Sequence, residues 1–102
     1  MHKPFEFNFE WDSTKATLNY KKHGITFERA AAIFNDPKAL TVFDEDNSGE
    51  EDRWVTVGVD MHTSFVVVSH TYREKNDRGA YIRIISARKA TKKEIRQYKE
   101  GS

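Results

Sequence analysis

Tyr81-Ile82-Arg83-Ile84-Ile85-Ser86-Ala87-Arg88 is apolar enough for a buried β-strand, yet it contains two arginines. Because strand side chains alternate between two faces, Arg83 is expected on the face of Ala87 and Arg88 on the face of Ile84. A buried guanidinium is costly unless it is paired, and its planar fork binds a carboxylate or a phosphate through two parallel hydrogen bonds. The two arginines therefore either pair with acidic side chains of the fold or bind an anion.

The length and composition limit the kind of protein. A chain of 102 residues is expected to form a single domain over 1–102. It has no cysteine, which excludes disulfides and thiolate metal sites. Its start lacks the apolar run of a signal peptide and no segment approaches a membrane span, so we expect a cytoplasmic protein without membrane contact. The four histidines show no metal-ligand spacing, so no metal or other cofactor is expected.

Charge is distributed unevenly along the chain, although the formal net charge is only +1. Residues 1–52 carry 6 Lys or Arg against 11 Asp or Glu, whereas residues 53–102 carry 11 against 5. Basic residues cluster between positions 81 and 99, where Glu94 is the sole acid. Such a cluster either attracts RNA or an acidic protein partner, or is simply the solvated face of a helix.

The N-terminal half predicts a strand followed by two helices. Aromatic and polar residues alternate over 5–11, as in a strand buried on one face. Asp12 is the expected N-cap of a helix over 13–22, and Gly24 its left-handed C-cap. Thr26 is the expected N-cap of a second, amphipathic helix, which ends at Asp36 because the residue before a proline disfavours helical geometry.

The C-terminal half predicts most of a sheet and a last helix. A short strand over 39–43 precedes an acidic, solvated loop over 44–52. Strands over 53–59, 64–72 and 80–87, joined by polar turns, indicate an antiparallel meander. Thr91 and Glu94 match a helix capping box. The fold class is therefore α+β: an antiparallel sheet with two N-terminal helices packed on it and a C-terminal helix.

Several other side chains are candidates for chemistry, each with a structural alternative. His23 has an unperturbed pKa suited to proton transfer, but a histidine at a helix C-terminus also interacts favourably with the helix dipole. His70 is expected to be a core or edge histidine. Trp54 and Trp11 either stack on bases or belong to the core. Tyr98 is either a proton donor or a packing residue.

Four motifs occur in order along the chain. They are Phe9-Glu10-Trp11-Asp12; Lys22-His23-Gly24-Ile25 with Phe27-Glu28 and Ala30-Ala31; Glu51-Asp52-Arg53-Trp54; and Ile82-Arg83-Ile84-Ile85-Ser86-Ala87-Arg88, with Glu94 and Tyr98 behind it. Together they resemble the BrnT toxin family from Phe7 to Tyr98. The resemblance implies a fold similar to that of RelE ribonuclease toxins, an RNA-cleaving activity that arrests translation, and a BrnA-like ribbon-helix-helix antitoxin as partner.

On this resemblance the chain is expected to be a metal-independent endoribonuclease of a type II toxin–antitoxin system. RNA is expected to be its substrate, and operator DNA is expected to be contacted only through the antitoxin. Arg83, Arg88 and Arg73 are expected to supply cations to the phosphate, and His23 to carry the proton. The residues expected to bind nucleic acid are Lys22, Arg53, Lys89, Lys92 and Lys93.

Three alternatives stay open at this point. The segment over 72–79 is longer than the tight turn expected there, so either Arg73 or Arg78 is the turn arginine; we favour Arg73, one step past the strand end. Arg53 is either an RNA contact or an ion-pair partner of Asp52 or Glu51. The third alternative concerns the function as a whole. Instead of being an active toxin, the chain would then be a non-catalytic basic binding module, or a degenerate toxin that acts only within a repressor complex with its antitoxin.

Overall fold

The computed structural model describes residues 5–101, which form six strands and three α-helices. The strands are β1 (Glu6–Glu10), β2 (Leu40–Phe43), β3 (Trp54–Val59), β4 (Phe65–His70), β5 (Arg73–Asn76) and β6 (Gly79–Lys89). The helices are α1 (Ser13–His23), α2 (Phe27–Ala32), which continues as a short 3-10 helix (Ile33–Asn35), and α3 (Lys92–Gly101). None of these helices is long and apolar enough to cross a membrane.

The longest strand, β6, lies inside the sheet between β1 and β4. β4 pairs with it antiparallel and continues through β3 to β2, which confirms the expected meander. β1 pairs with it in parallel, with Phe9 opposite Ile82, because the long connection over 11–78 provides the crossover that parallel strands require. The expected α+β class is therefore confirmed, with the difference that β1 makes the sheet mixed rather than wholly antiparallel.

β6 contains a β-bulge in its apolar half. Ser69 pairs with Ser86, whereas the next residue of β4, His70, pairs with Ile84. One step along β4 thus corresponds to two steps along β6, and Ile85 is the extra residue. Beyond a bulge of this kind, each side chain lies on the face opposite to the one that simple alternation predicts.

The bulge changes which side chains of β6 share a face. Ile84 and Ala87 are both buried in the core, although simple alternation places them on opposite faces. The expectation that Arg83 and Arg88 lie on opposite faces is therefore wrong. Arg83 precedes Ile84 and Arg88 follows Ala87, so each alternates with a core residue and both lie on the face away from the core.

The helices begin and end at the capping residues that the sequence predicts. Asp12 accepts a backbone N–H of the first turn of α1 at 3.0 Å, and Thr26 does the same for α2 at 3.2 Å. Gly24 has φ 71°, the left-handed conformation that a C-cap requires. Reciprocal bonds between Thr91 and Glu94 form the capping box of α3. These predictions are confirmed because capping depends on residues close in sequence.

The segment over 72–79 is a hairpin arm and not a long turn. β5 pairs antiparallel with β6, with Arg73 opposite Tyr81, and the turn itself is Asp77-Arg78. All four residues of β5 are exposed, so the strand lacks the apolar alternation by which strands are recognised in sequence. Arg73 consequently belongs to a strand and Arg78 to the turn.

Helices cover both faces of the sheet. Between the sheet and the pair α1–α2 lies the core, formed by Ile25, Phe27, Ala30, Ile33, Val66, Val68, Ile82, Ile84 and Ala87. On the opposite face, α3 packs Tyr98 edge-on against Phe65, with 5.4 Å between ring centroids. The Tyr98 hydroxyl donates to Asp36 Oδ2 at 2.7 Å, and this bond raises the pKa of Tyr98 to about 12. Of the two roles that the sequence suggests for Tyr98, proton donor or packing residue, its contacts in the structure are those of a packing residue.

The buried side chain of Asn19 connects α1 to β6. Its Nδ2 donates to the carbonyl of Ala87 at 2.9 Å and to that of Ile25 at 3.2 Å, and the Ala87 N–H donates to its Oδ1 at 3.1 Å. Ala87 faces Val68 of β4 on its other side. The carboxamide therefore takes the place of a neighbouring strand beyond the point where β1 ends.

Replacing Asn19 with Ala is expected to lower the free energy of unfolding by about 3 kcal/mol, because it leaves buried N–H and C=O groups unpaired. Urea denaturation of the purified variant measures this change. Asn35→Ala is the matched control, since Asn35 is exposed and its side chain makes no hydrogen bond within residues 5–101; its change should stay within about 0.5 kcal/mol. Equal losses in the two variants would contradict the role of Asn19.

Candidate functional site

A polar cleft of about 420 Å³ opens where β1, β5, β6 and the connection between β4 and β5 meet the acidic loop. Its lining residues are Glu10, Glu51, Asp52, Thr71, Tyr72, Arg73, Tyr81 and Arg83. Two of the four arginines and histidines expected to act in catalysis, Arg73 and Arg83, thus share one cleft. We call it the arginine cleft.

Arg83 forms an ion pair with Glu51 of the acidic loop through its Nη2 and Oε1 atoms. Both side chains remain open to solvent, with exposed fractions of 42% and 47%. The backbone of Arg83 is fixed more firmly: its N–H donates to Thr71 Oγ1 at 3.3 Å, and its carbonyl accepts the Thr71 N–H at 3.0 Å. An exposed pair of this kind contributes little to stability, so an anion in solution can compete with Glu51 for the guanidinium.

Arg73 is held over the ring of Tyr81, its cross-strand neighbour, with 4.7 Å from Cζ to the ring centroid. The cation–π contact positions the guanidinium without neutralising it. Lys75 lies on the same ring at 5.9 Å. The cleft therefore holds one cation paired with a carboxylate and one held by an aromatic face.

Arg88 has a different environment from Arg83. It makes a bidentate contact with Glu94 of α3, at 2.8 and 2.9 Å, and also donates to the Lys89 carbonyl at 3.2 Å. The hydrogen bonds from Arg88 lower the pKa of Glu94 to about 2, against the opposing effect of burial, and the same bonds raise the pKa of Arg88. Arg88 thus ties the end of β6 to the capping box of α3, and it does not line the arginine cleft.

His23 and Lys22 lie in the last turn of α1 and do not line the arginine cleft. His23 is half-buried and Lys22 exposed. The side chain of His23 makes no hydrogen bond within residues 5–101, and its position at the helix C-terminus suits the favourable dipole interaction of its structural alternative. A catalytic role for His23 stays a prediction.

The remaining residues expected to bind RNA are spread over the surface. Lys89 ends β6, and Lys92 and Lys93 begin α3; all three are exposed. Arg53 lies at the end of the acidic loop, where its backbone N–H donates to Ser48 Oγ at 2.9 Å. Glu51 pairs with Arg83 instead, so the suggested ion pair between Arg53 and Glu51 is not the one formed.

The carboxylates of the arginine cleft were missed by sequence reasoning. Glu51 and Asp52 come from a loop whose acidity indicated only solvation, and Glu10 comes from β1, where it is the register partner of Arg83. The signal available in the sequence was the motif Glu51-Asp52-Arg53-Trp54. No group of three or more histidine and carboxylate side chains in residues 5–101 is arranged to hold a metal ion.

The aromatic candidates separate into core and surface. Trp11 packs edge-on against Phe27 of the core, with 6.0 Å between ring centroids. His70 is buried, as expected, and burial lowers its pKa. Trp54 instead lines a second cleft that contains several other rings.

A family model described as ribonuclease toxin, BrnT, of type II toxin–antitoxin system matches residues 11–94 of the chain. The chain belongs to this family. The crystal structure of the ribonuclease toxin BrnT from Brucella abortus is similar over 85% of this chain and 100% of that one, with a TM-score of 0.58 and 19% sequence identity. That likeness establishes a shared fold; the further likeness to RelE toxins stays a prediction. No protein of curated function matches the chain.

The Arg88–Glu94 contact should make the stability of this BrnT-family protein depend on pH in the acid range. Because the pKa of Glu94 is lowered from 4.5 to about 2, the contact stabilises the fold above pH 4.5 and is lost as the pH falls towards 2. Glu94→Gln keeps the reach to Thr91 but removes the charge. It should cost about 1 kcal/mol at pH 6, after allowance for solvent screening, and nothing near pH 2.

Urea denaturation at pH 6 and at low pH measures this difference. Glu100→Gln is the matched control, because Glu100 lies exposed in the same helix and makes no ion pair within residues 5–101. A Glu94→Gln variant that loses the same stability at both pH values would show that the contact is not electrostatic.

Proposed function

We propose that this protein is a metal-independent endoribonuclease that binds RNA in the arginine cleft. The observation that carries the proposal is the presence of Arg73 and Arg83 in one open cleft beside Glu51. The 102 residues act as one toxin domain, on RNA in the cytoplasm, and cleavage arrests translation.

Cleavage of RNA without a metal requires three things of the protein. The 2′-oxygen attacks the phosphorus and loses its proton, negative charge develops on the phosphoryl oxygens, and the leaving 5′-oxygen gains a proton. Arg83 can bind the phosphoryl oxygens with its planar fork once RNA displaces Glu51, and Arg73 adds a second cation from β5. Each guanidinium offers several N–H donors and no acceptor, so both suit the stabilisation of this charge.

Glu51 and His23 are the two groups proposed for the proton transfer. They require different positions of the RNA on the protein. Glu51 already lies at Arg83, the proposed phosphate-binding arginine, and its carboxylate can accept the 2′-hydroxyl proton once RNA displaces it from the guanidinium. His23, the proton carrier expected from the sequence, lies outside the arginine cleft, so it requires the RNA to reach the end of α1.

We propose a BrnA-like antitoxin as the partner that neutralises the protein, since the family is one of type II toxin–antitoxin systems. Operator DNA is then bound by the antitoxin and reaches this chain only through it. The exposed Lys89, Lys92 and Lys93, together with Lys22 and Arg53, are proposed to attract RNA by charge and not to take part in chemistry.

Arg83→Ala should abolish RNA cleavage by the purified protein and growth arrest on induction in a bacterial host, with little change in melting temperature, because the exposed pair with Glu51 adds little stability. Arg83→Lys should restore charge but not the bidentate contact, and so should stay well below wild-type activity. The matched control is Arg78→Ala, which removes an exposed arginine from the neighbouring turn. A wild-type protein that neither cleaves RNA nor arrests growth would overturn the proposed function.

Glu51→Gln and His23→Ala separate the two candidates for proton transfer. The variant that removes the true base should lose roughly 100-fold or more in the cleavage rate and the pH dependence of that rate. If Glu51 only occupies the cleft, Glu51→Gln should instead bind RNA more tightly and cleave at least as fast. His23→Ala with full activity and a lower melting temperature would show that His23 is a helix cap.

A further inference from the structure

A second cleft, of about 330 Å³, lies beside the arginine cleft and is lined almost wholly by rings. The rings belong to Phe5, Phe7, Phe34, Trp54, His70 and Tyr72. We call it the aromatic groove. The groove is open to solvent, since Phe5 is 46% and Tyr72 40% exposed. Its rings therefore do not all belong to the core.

The walls of the groove are braced by ring contacts. Phe34, from the 3-10 helix after α2, stands edge-on to His70 with 4.9 Å between centroids, and packs against Phe7 at 5.5 Å. Trp54 is held edge-on by Phe43 of the neighbouring strand at 5.0 Å. Rings fixed in this way lose little entropy when a flat ligand stacks on them.

Among residues 5–101, the one polar side chain that lines the groove besides the ring nitrogens and the Tyr72 hydroxyl is Thr41. Its Oγ1 lies 2.7 Å from Thr56 Oγ1, which in turn lies 2.7 Å from His70 Nε2. His70 Nδ1 lies 2.9 Å from the Thr71 carbonyl. These bonds form a chain from the groove into the sheet.

The direction of each bond in this chain is determined by its inner end. A carbonyl can only accept, so His70 Nδ1 carries the proton. Burial lowers the pKa of His70, which keeps the ring neutral near pH 7 and makes Nε2 an acceptor. Thr56 must therefore donate to His70, and Thr41 must donate to Thr56. Within residues 5–101 no group donates to the Thr41 hydroxyl oxygen, which therefore presents an acceptor to the groove.

The aromatic groove and the arginine cleft meet at Tyr72, which lines both. Tyr72 lies between β4 and β5, both of which pair with β6, at the point where this line of pairing is interrupted. A ligand with a phosphate at Arg73 and Arg83 therefore has a flat, acceptor-bearing groove next to it.

We propose that the aromatic groove is a nucleobase subsite, in which a base of the RNA stacks on the rings and donates a hydrogen bond from its exocyclic amine to Thr41 Oγ1. This inference rests on the proposed function, because it takes the arginine cleft as the phosphate site. Cytosine bears an amine where uracil bears a carbonyl, so cytosine is expected to bind better than uracil.

The lining favours a base over an apolar side chain of a protein partner. Aromatic rings suit the stacking of a planar ligand. A groove that receives a partner helix instead binds aliphatic side chains that recur at helical spacing along that helix. A buried aliphatic side chain would also leave the acceptor at Thr41 without a donor, at a cost in free energy.

Calorimetric titration with cytidine 3′-monophosphate and uridine 3′-monophosphate tests the subsite without requiring catalysis. The wild type should bind the cytidine nucleotide more tightly by about 3-fold to 10-fold, the scale of one neutral hydrogen bond. Thr41→Val removes the acceptor at nearly constant volume and should erase the difference. Thr17→Val is the matched control, since Thr17 is exposed on α1 and does not line the groove, and within residues 5–101 its hydroxyl bonds only to the Ser13 carbonyl.

Trp fluorescence shows whether the base enters the groove. In a Trp11→Phe background, confirmed folded by its melting curve, Trp54 is the remaining reporter, and both nucleotides should quench it. Quenching with a preference for cytidine that Thr41→Val removes supports the subsite, whether or not the protein cleaves RNA. Absence of quenching, or equal binding of the two nucleotides by the wild type, overturns it even if Arg83→Ala abolishes cleavage. Loss of antitoxin binding in Thr41→Val with no nucleotide quenching in the wild type would assign the groove to a protein partner instead.

Discussion

The carboxamide of Asn19 takes the place of a paired strand along one side of β6. On that side β1 has already ended, whereas β4 pairs with the other side. β1 accompanies β6 only as far as Arg83, and beyond that residue the backbone of Ala87 would be buried with an unpaired N–H and C=O. Such groups cost about 1–3 kcal/mol each. Asn19 satisfies both, and its second bond, to Ile25, fixes the connection between α1 and α2. This one side chain therefore ties α1 and the start of α2 to β6, in addition to the apolar core between the helices and the sheet.

The two arginines of β6 are paired in ways that suit different tasks. Arg88 is bound by both oxygens of Glu94, and that carboxylate also caps α3, so exchanging it for another anion would free the helix terminus. Arg83 is bound by one oxygen of a loop residue that is itself nearly half exposed. Exposed pairs are weak, whereas pairs integrated in a hydrogen-bond network are not easily replaced. We therefore propose Arg83, rather than Arg88, as the arginine that a phosphate can reach.

The interruption between β4 and β5 creates the space for both clefts. If the strand opposite β6 continued without a break, Thr71 and Tyr72 would belong to a regular ladder. Instead Thr71 bonds to both backbone groups of Arg83, and Tyr72 projects at the border of a charged cleft and an aromatic groove. A polyanion with flat bases requires both kinds of surface next to each other.

The sequence by itself determined the features that depend on neighbours along the chain. Asp12, Gly24, Thr26 and the Thr91–Glu94 box set the helix boundaries, and consecutive strand segments joined by short polar turns identified the meander. The family could also be identified from sequence, because its motifs are local.

Only the tertiary structure decided which side chains meet. The bulge at Ile85 comes from pairing with β4, and a single extra residue reverses the alternation that assigned Arg83 and Arg88 to opposite faces. The pairs Arg83–Glu51 and Asn19–Ala87 join residues far apart in the chain, and β5 is a strand only because β6 pairs with it. No local pattern encodes such contacts, since their free energy comes from groups that approach one another only when the sheet has formed.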